Sequence, residues 1–228
     1  MLRPLVDAFS YIWVLVLLFF AGVAIYAWYF SEAARIRRAL KAAPRVDIAR
    51  VQQGQVAKIA GAVRPLGEPL RAPLTGRACV FYEVTVEEYR SSGKSGRWVE
   101  IIKDVDAQDF LLEDGTGRAV VKTAGMKVLP VKDRELKSGF LNDASPVLED
   151  FLRQHGQSSQ GWVFNKNLRY KEGVFEPGER VTVLGQCRWE QDPDPSAAGQ
   201  GYRDTPRRLV VDVPDQGQLL ASDETDVG

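Results

Sequence analysis

Residues 11–30, YIWVLVLLFFAGVAIYAWYF, run for twenty positions without a charge. That is the length a helix needs to cross a hydrocarbon core of about 30 Å. A helix that is apolar on every face has no polar side to turn to water, so the run belongs in a bilayer. Aromatic rings gather at its ends, Phe9, Tyr11 and Trp13 on one side and Tyr26, Trp28, Tyr29 and Phe30 on the other. The headgroup layer favours such rings. A cleaved export signal would carry a basic leader, an apolar core of about 7–15 residues and small residues at the cut. Here the leader offers only Arg3, and Trp28-Tyr29-Phe30 crowd the place where a cut would fall. The reading is a single uncleaved transmembrane helix.

The flanks predict its orientation. Arg35, Arg37, Arg38, Lys41, Arg45 and Arg50 follow the run, against Arg3 before it. Basic residues close to a span stay on the cytoplasmic side. The expectation is a single-pass membrane protein with its soluble domain in the cytoplasm and its N-terminus outside. Ser31–Ala43 is rich in alanine and arginine, which predicts a helical linker ended by Pro44. Its basic side chains are placed to touch anionic lipid.

Beyond Val51 the pattern changes to short strands. Val56–Val63 reads as a first strand, stopped by Pro65 and Gly67. Cys79–Tyr89 alternates, with Val80, Tyr82, Val84 and Val86 on one face and Glu83, Thr85 and Glu87 on the other. That is the signature of a half-buried antiparallel strand. Ser91–Gly96 reads as a flexible hairpin tip, and Trp98–Val105 as the returning strand. Phe110–Leu112 and Ala119–Val121 flank the tight turn Asp114-Gly115-Thr116-Gly117. Arg180–Trp189 and Arg208–Val213 supply two more strands. Between them Ser145-Pro146 starts an inserted helix with Val147, Leu148, Phe151 and Leu152 as its apolar stripe, and Gly156 ends it. Gln191–Pro206 reads as a loop, and the segment after Pro214 as a poorly ordered tail. The expected fold is mainly β: a small antiparallel barrel, OB-like in its strand order, with one inserted helix. The expected divisions are a leader at 1–10, the span at 11–30, a basic linker at 31–50, a β domain at 51–215 and a flexible tail at 216–228.

Several stretches of that β domain resemble a known family. They are Leu70-Arg71-Ala72-Pro73-Leu74-Thr75-Gly76, Cys79-Val80-Phe81-Tyr82-Glu83, the Asp-Gly-Thr-Gly turn and Pro177-Gly178-Glu179. Together they resemble the GIDE, or beside-a-membrane, domain of mitochondrial ubiquitin ligases and their bacterial relatives, over roughly residues 55–215. The resemblance implies a domain held next to a membrane. It also implies a link to E3 ubiquitin ligases, whose transfer activity depends on a C-terminal RING. A RING holds two zinc ions with eight Cys or His ligands, four per tetrahedral site. This sequence holds Cys79, Cys187 and His155 and no other Cys or His. The family usually carries a second span after the domain, whereas this sequence runs on to Ser222–Gly228 without one.

Other chemistry is weakly supported. Gly93-Lys94-Ser95 echoes the end of a phosphate-binding loop, but Glu88 occupies the position where that motif needs glycine. His155, in the last turn of the inserted helix, is placed to interact with the helix C-terminus. Cys79 sits on an apolar strand as an inert thiol. With two cysteines no disulfide framework is indicated, and in the cytoplasm both are expected to be free. The pairs Glu87/Glu88, Asp104/Asp106 and Glu149/Asp150 read as solvated surface. Seven of the 30 basic and three of the 30 acidic residues precede Val51, leaving the remainder at a net charge of −4.

Three function classes follow. The first is a membrane-anchored, non-catalytic binding module that recruits protein partners. The second is an E3 ligase-related protein that takes its RING from another chain. The third is a nucleic-acid binder using Tyr82, Tyr89, Trp98 and Phe110 as stacking rings, against which the acidic balance argues. No catalytic, metal or cofactor residue is assigned. The expected partners are the lipid bilayer and other membrane proteins, with no nucleic acid and no small-molecule substrate.

Overall fold

The computed structural model describes residues 31–92, 95–129, 134–138, 146–157, 167–192 and 207–227, together with positions 16, 19, 20, 23 and 26 of the apolar run. The leader, most of the run, Ser145, the hairpin residues 93–94 and loop residues 193–206 lie outside the described residues. Among the described residues no helix is long and apolar enough to cross a membrane. Val16, Phe19, Phe20, Val23 and Tyr26 are helical.

Helix α1, Glu32–Ala42, begins where the Ser31 hydroxyl accepts a hydrogen bond from the Ala34 N–H at 3.2 Å. That side-chain cap satisfies one of the free donors at a helix start. Pro44 follows its end, as expected. Ile36 and Leu40, one turn apart on the same face, are buried.

Thirteen strands follow among the described residues, and the barrel is built from β1 (Val56–Pro65), β6 (Phe110–Glu113), β7 (Arg118–Val121), β11 (Arg180–Gln191) and β12 (Arg207–Asp212). They pair in the circuit β1-β6-β7-β12-β11, and β1 closes it by also pairing with β11. Strand β1 belongs to both seams: Val56–Ala62 lies along β11 and Ala62–Pro65 along β6. Gly61 lets that strand bend across the barrel, since a Cβ there would sit 2.6 Å from the Glu113 carbonyl oxygen. One expectation is corrected here. The barrel is not wholly antiparallel, because β7 and β12 run parallel. The chain must cross over between them, and the long excursion from Val121 to Arg180 provides the room.

Two segments inserted into the barrel sequence carry the strands of a second sheet, together with three strands outside it. The first contributes β2 (Leu70–Arg71), β3 (Ala78–Cys79), β4 (Phe81–Ser92) and β5 (Ser95–Ala107). The second contributes β8 (Lys127–Leu129), β9 (Arg134–Ser138), helix α2 (Pro146–Gln154) and β10 (Leu168–Phe175). Strands β5-β4-β10-β9 form a four-stranded antiparallel sheet, so residues from both insertions meet along the β4–β10 seam. Strands β2 and β3 pair with each other, and β8 joins the barrel's sheet through the last of the thirteen strands. The expected strand over Cys79–Tyr89 is present from Phe81 onward. Val84 and Val86 face Leu148, Phe151 and Leu152 of α2, while Val80 and Phe81 turn into the barrel core. There Phe81 packs on Phe175 with ring centroids 5.0 Å apart, closing one end of the barrel with apolar surface.

Two further expectations fail. The hairpin tip is shorter than read, because β4 and β5 stay paired out to Ser92↔Ser95. The segment after Pro214 is not a loose tail. It supplies β13 (Leu220–Ser222), which pairs with β11 and with β8. Leu219, Ala221 and Val227 are buried. At the other boundary Ile48 and Val51 enter the barrel core, with Val46 packed against it. Residues on both sides of 51–215 thus pack on or pair with the β structure.

Candidate functional site

The face of the barrel that α1 covers is built from chain segments far apart in sequence. Ile36 and Leu40 of α1 pack with Leu220 and Val227, and Leu129 and Leu184 fill in around them. Charged side chains bracket this apolar seam. Glu32 meets Lys127 at 3.3 Å, Arg37 forms a two-pronged pair with Glu224, and Lys41 reaches Asp226 at 2.6 Å. Buried Lys58 donates from Nζ to the Val227 carbonyl oxygen at 3.0 Å. Arg37 and Lys41, read above as lipid-facing, are thus engaged by acidic residues 187 and 185 positions further on. Nothing local in the sequence signals this. The acidic cluster Asp223-Glu224-Thr225-Asp226 was the available clue.

The linker between α1 and β1 is tied down by the Asp-Gly-Thr-Gly turn. Asp114 accepts N–H bonds from Ile48 at 2.8 Å, Thr116 at 2.8 Å and Gly117 at 3.1 Å. Burial alone would raise the pKa of this carboxyl, but the donors together hold it below the usual range. The Thr116 hydroxyl accepts from the Ala49 N–H at 3.2 Å. The turn expected from sequence is therefore also the fastening point of the helical linker.

The motif-rich hairpin β2–β3 is organised by one buried carboxylate. Glu172 on β10 is 1% exposed. It accepts from the Leu74 N–H at 2.8 Å and the Thr75 hydroxyl at 2.5 Å, with Arg77 at 3.7 Å. Arg77 also pairs with Glu176 at 2.5 Å. A buried charge is tolerable only with such partners. The stretch from Leu70 to Arg77 is thus explained as a lid folded over Glu172.

The remaining reactive residue types are separated and occupied. Cys79 and Cys187 are free and buried. Burial pushes both thiols up to about 11, with the Glu172 charge adding to the effect at Cys79. A thiol that high carries little thiolate at neutral pH. His155 lies at the end of α2 as expected, with Nδ1 2.9 Å from the Phe151 carbonyl oxygen and its ring 4.4 Å from that of Phe151. Among the described residues no group of three or more His, Cys, Asp or Glu is arranged to hold a metal ion.

Nor do the acidic pairs converge. Glu87 binds Arg169 at 2.5 Å and Lys171 at 2.7 Å. Burial works to raise its pKa, yet these two cations bring it below the ordinary value. Asp104 and Asp106 lie near Tyr82, whose hydroxyl is pushed up to about 12, chiefly by burial and then by those two charges. Asp150 pairs with Arg153 at 3.1 Å. The four aromatic residues offered as a stacking platform do not form one. Phe110 is fully buried in the barrel and Tyr82 lies under the β2–β3 hairpin, while Tyr89 and Trp98 sit together at 5.4 Å.

The family signature GIDE, described as E3 ubiquitin ligase, matches residues 81–200, from the start of β4 into the segment after β11. No curated protein and no solved structure matches the chain. The match takes in more than half of the 228 residues, the excursion from Val121 to Arg180 and all four strands of the second sheet. The chain belongs to the GIDE family.

Proposed function

We propose that this GIDE-family chain is a membrane-anchored, non-catalytic binding module that presents its β domain beside the bilayer to recruit protein partners. The observation that carries the reading is the rigid coupling of α1 to the barrel. The helix starts one residue after the apolar run and is held through Ile36, Leu40, the Arg37–Glu224 pair and Lys127. Such a joint holds the domain close against the helix that follows the run. The described helical residues of the run support the anchor: Phe19, Phe20 and Tyr26 are about two-thirds exposed, a large apolar area to leave in water.

The closed five-strand circuit, in the order 1-2-3-5-4 with a parallel third–fifth pair, supports the OB-like reading. Its use here is as a scaffold. The interior is filled by side chains such as Ile59, Phe110, Val183 and Leu209. An acidic domain lacking a converging aromatic groove is a poor fit to phosphate-backbone binding. The family's description keeps a ligase-related role in view. That role requires a zinc-bearing RING outside these 228 residues, since three Cys and His residues cannot supply eight ligands.

The test joins topology with capture. The full chain, expressed in cells, should stay in the membrane fraction through alkaline carbonate extraction. Protease added to sealed inside-out vesicles should cut the exposed loops of the domain, and protease added outside intact cells should not. Release by carbonate would overturn the anchor, and the reverse protease pattern the orientation. Ubiquitin chains formed by the purified chain with activating and conjugating enzymes alone would overturn the non-catalytic reading.

A further inference from the structure

The β4–β5 hairpin outgrows its own sheet. Strand β10 pairs with β4 only as far as Leu168↔Glu88, whereas β4 and β5 continue paired to Ser92↔Ser95. The pairs from Tyr89↔Trp98 outward therefore form a two-stranded arm. Between Tyr89 and Trp98 the sequence carries Arg90, Lys94 and Arg97 and no acid, in a domain whose net charge beyond residue 50 is −4. Arg90 and Arg97 stand directly opposite each other, a like-charge pairing that disfavours a hairpin. Glu88 engages Arg90 at 2.8 Å, and among the described residues no carboxylate pairs with Arg97.

The arm also holds a shallow cleft. It is lined by Arg90, Ser91, Ser95, Gly96 and Arg97. Two guanidiniums, two hydroxyls and no lining carboxylate make a donor set for phosphate oxygens. The aromatic pair beside it is pre-set. Tyr89 lies across Gly96 so closely that a Cβ on the glycine would fall 2.0 Å from the tyrosine hydroxyl. Arg169 stacks 4.4 Å over the Trp98 ring, yet Trp98 remains 36% and Tyr89 41% exposed. Exposed Trp and Tyr next to Arg is a side-chain mixture that settles at a headgroup layer.

We propose that this arm docks on anionic phospholipid headgroups of the bilayer, with Arg90 and Arg97 engaging the lipid phosphate and Tyr89 and Trp98 resting at the interface. Successive residues alternate between the two faces of the ribbon, so a tip-first approach brings both sets into the headgroup layer at once. The proposal rests on the membrane-anchored reading. Tethering supplies the local concentration that lets a two-arginine contact suffice.

The test places the full chain in nanodiscs of phosphatidylcholine alone or with 30% phosphatidylglycerol, carrying a spin label at Ser92→Cys. Both native thiols are buried, which directs the label to the introduced one. In the anionic discs the label should lose several-fold of its accessibility to a water-soluble nickel reagent, and in neutral discs it should not. The R90E/R97E double variant, checked for an unchanged thermal midpoint, should restore aqueous accessibility in the anionic discs. Equal accessibility in both lipids, or no response to R90E/R97E, overturns the proposal while leaving the anchor intact. Loss of the contact with 10 mM inorganic phosphate, in place of loss with added salt of equal ionic strength, would assign the cleft to free phosphate and also overturn it. A chain that does not enter the discs at all defeats both readings together.

Discussion

The barrel and the four-stranded sheet deal with strand edges in opposite ways. Along the barrel circuit there is no edge, because β1 pairs with β6 at one end and with β11 at the other. The sheet ends on β5, a thirteen-residue strand exposed along most of its length. An open edge of that length invites pairing with another chain. Two features counter it. Ile101 forms a bulge between the pairs Val86↔Ile102 and Glu87↔Glu100, and Lys103, Asp104 and Asp106 load the edge with charge. The barrel thus draws its strength from closure. The sheet depends on what is laid over one face, α2 at one end and the β2–β3 hairpin at the other. Substitutions in the barrel should therefore act on the whole domain and those in the sheet more locally.

The largest expected effect is at the place where the two regions meet. Phe110 is fully buried in the cluster that also holds Phe81 and Phe175 from the sheet. Phe110→Ala should cost about 3–5 kcal/mol, through lost burial and the cavity left behind. Denaturant unfolding followed by tryptophan emission and by far-ultraviolet circular dichroism should show one common shifted transition. Two separated transitions would mean that barrel and sheet unfold independently, which breaks the comparison.

Second comes the hinge of the sheet's cover. Glu172→Gln keeps the shape but leaves the Leu74 and Thr75 donors with a weaker acceptor and Arg77 with less charge to face. Hydrogen bonds to charged groups contribute about 1.5–3 kcal/mol each at most, and about 2 kcal/mol in all is expected here because the amide still accepts one of them. The informative readout is amide exchange. Ala72, whose N–H bonds the Arg77 carbonyl, and Leu74 should exchange faster, while barrel amides such as Val183 keep their protection. Uniform acceleration would show that the hairpin is no separable lid.

These contrasts also explain what the sequence disclosed. Strands β1, β4, β5, β6, β7, β11 and β12 are legible because their apolar residues alternate or run together between turn signals. Strand β10 was missed because Glu172 and Gly173 interrupt its pattern, and the reason for the glutamate is a hairpin about a hundred residues earlier. Strand β13 is three residues long and carries no period at all. The union of two insertions into one sheet is a property of long-range pairing, invisible to any local window. The acidic end reads as a poorly ordered tail for the same cause: its cationic partners on α1 lie far away in sequence. At the candidate site the chemistry-bearing residues were placed well by their neighbours, as with His155 against its helix end, whereas the Tyr89–Trp98–Arg169 group was seen only in pieces.

A third test concerns pH and returns to the barrel side. Asp114 has its pKa held below the ordinary value of about 3.9 by the N–H groups of Ile48, Thr116 and Gly117. A carboxylate whose folded pKa is depressed contributes stability that is present above its unfolded pKa and is lost as pH falls through the folded one. Asp109 and Glu87 are shifted in the same direction. The thermal midpoint should fall as pH drops below about 4. Asp114→Asn should lower the midpoint at pH 7, by about 1–2 kcal/mol in stability, and flatten this acid limb without abolishing it. An acid limb as steep as in the parent protein would show that the Asp114 charge adds nothing beyond the turn's geometry.

The smallest expected effect is the charge coupling at the seam joining α1 to the barrel. Arg37 and Glu224 make a two-pronged pair, the geometry that favours guanidinium with carboxylate. Arg37 is 41% exposed, however, so water and salt screen the attraction. The apolar seam of Ile36, Leu40, Leu220 and Val227 is dry by comparison and should bear most of the docking. A double-mutant cycle with Arg37→Ala and Glu224→Ala should give a coupling of a few tenths to about 1 kcal/mol, shrinking further in 0.5 M salt. Leu40→Ala should cost about 2–5 kcal/mol if the helix is docked as a packed element. A coupling that exceeds the Leu40→Ala cost would reverse the ranking, making charge rather than packing the reason that the domain holds a fixed stance on its helix.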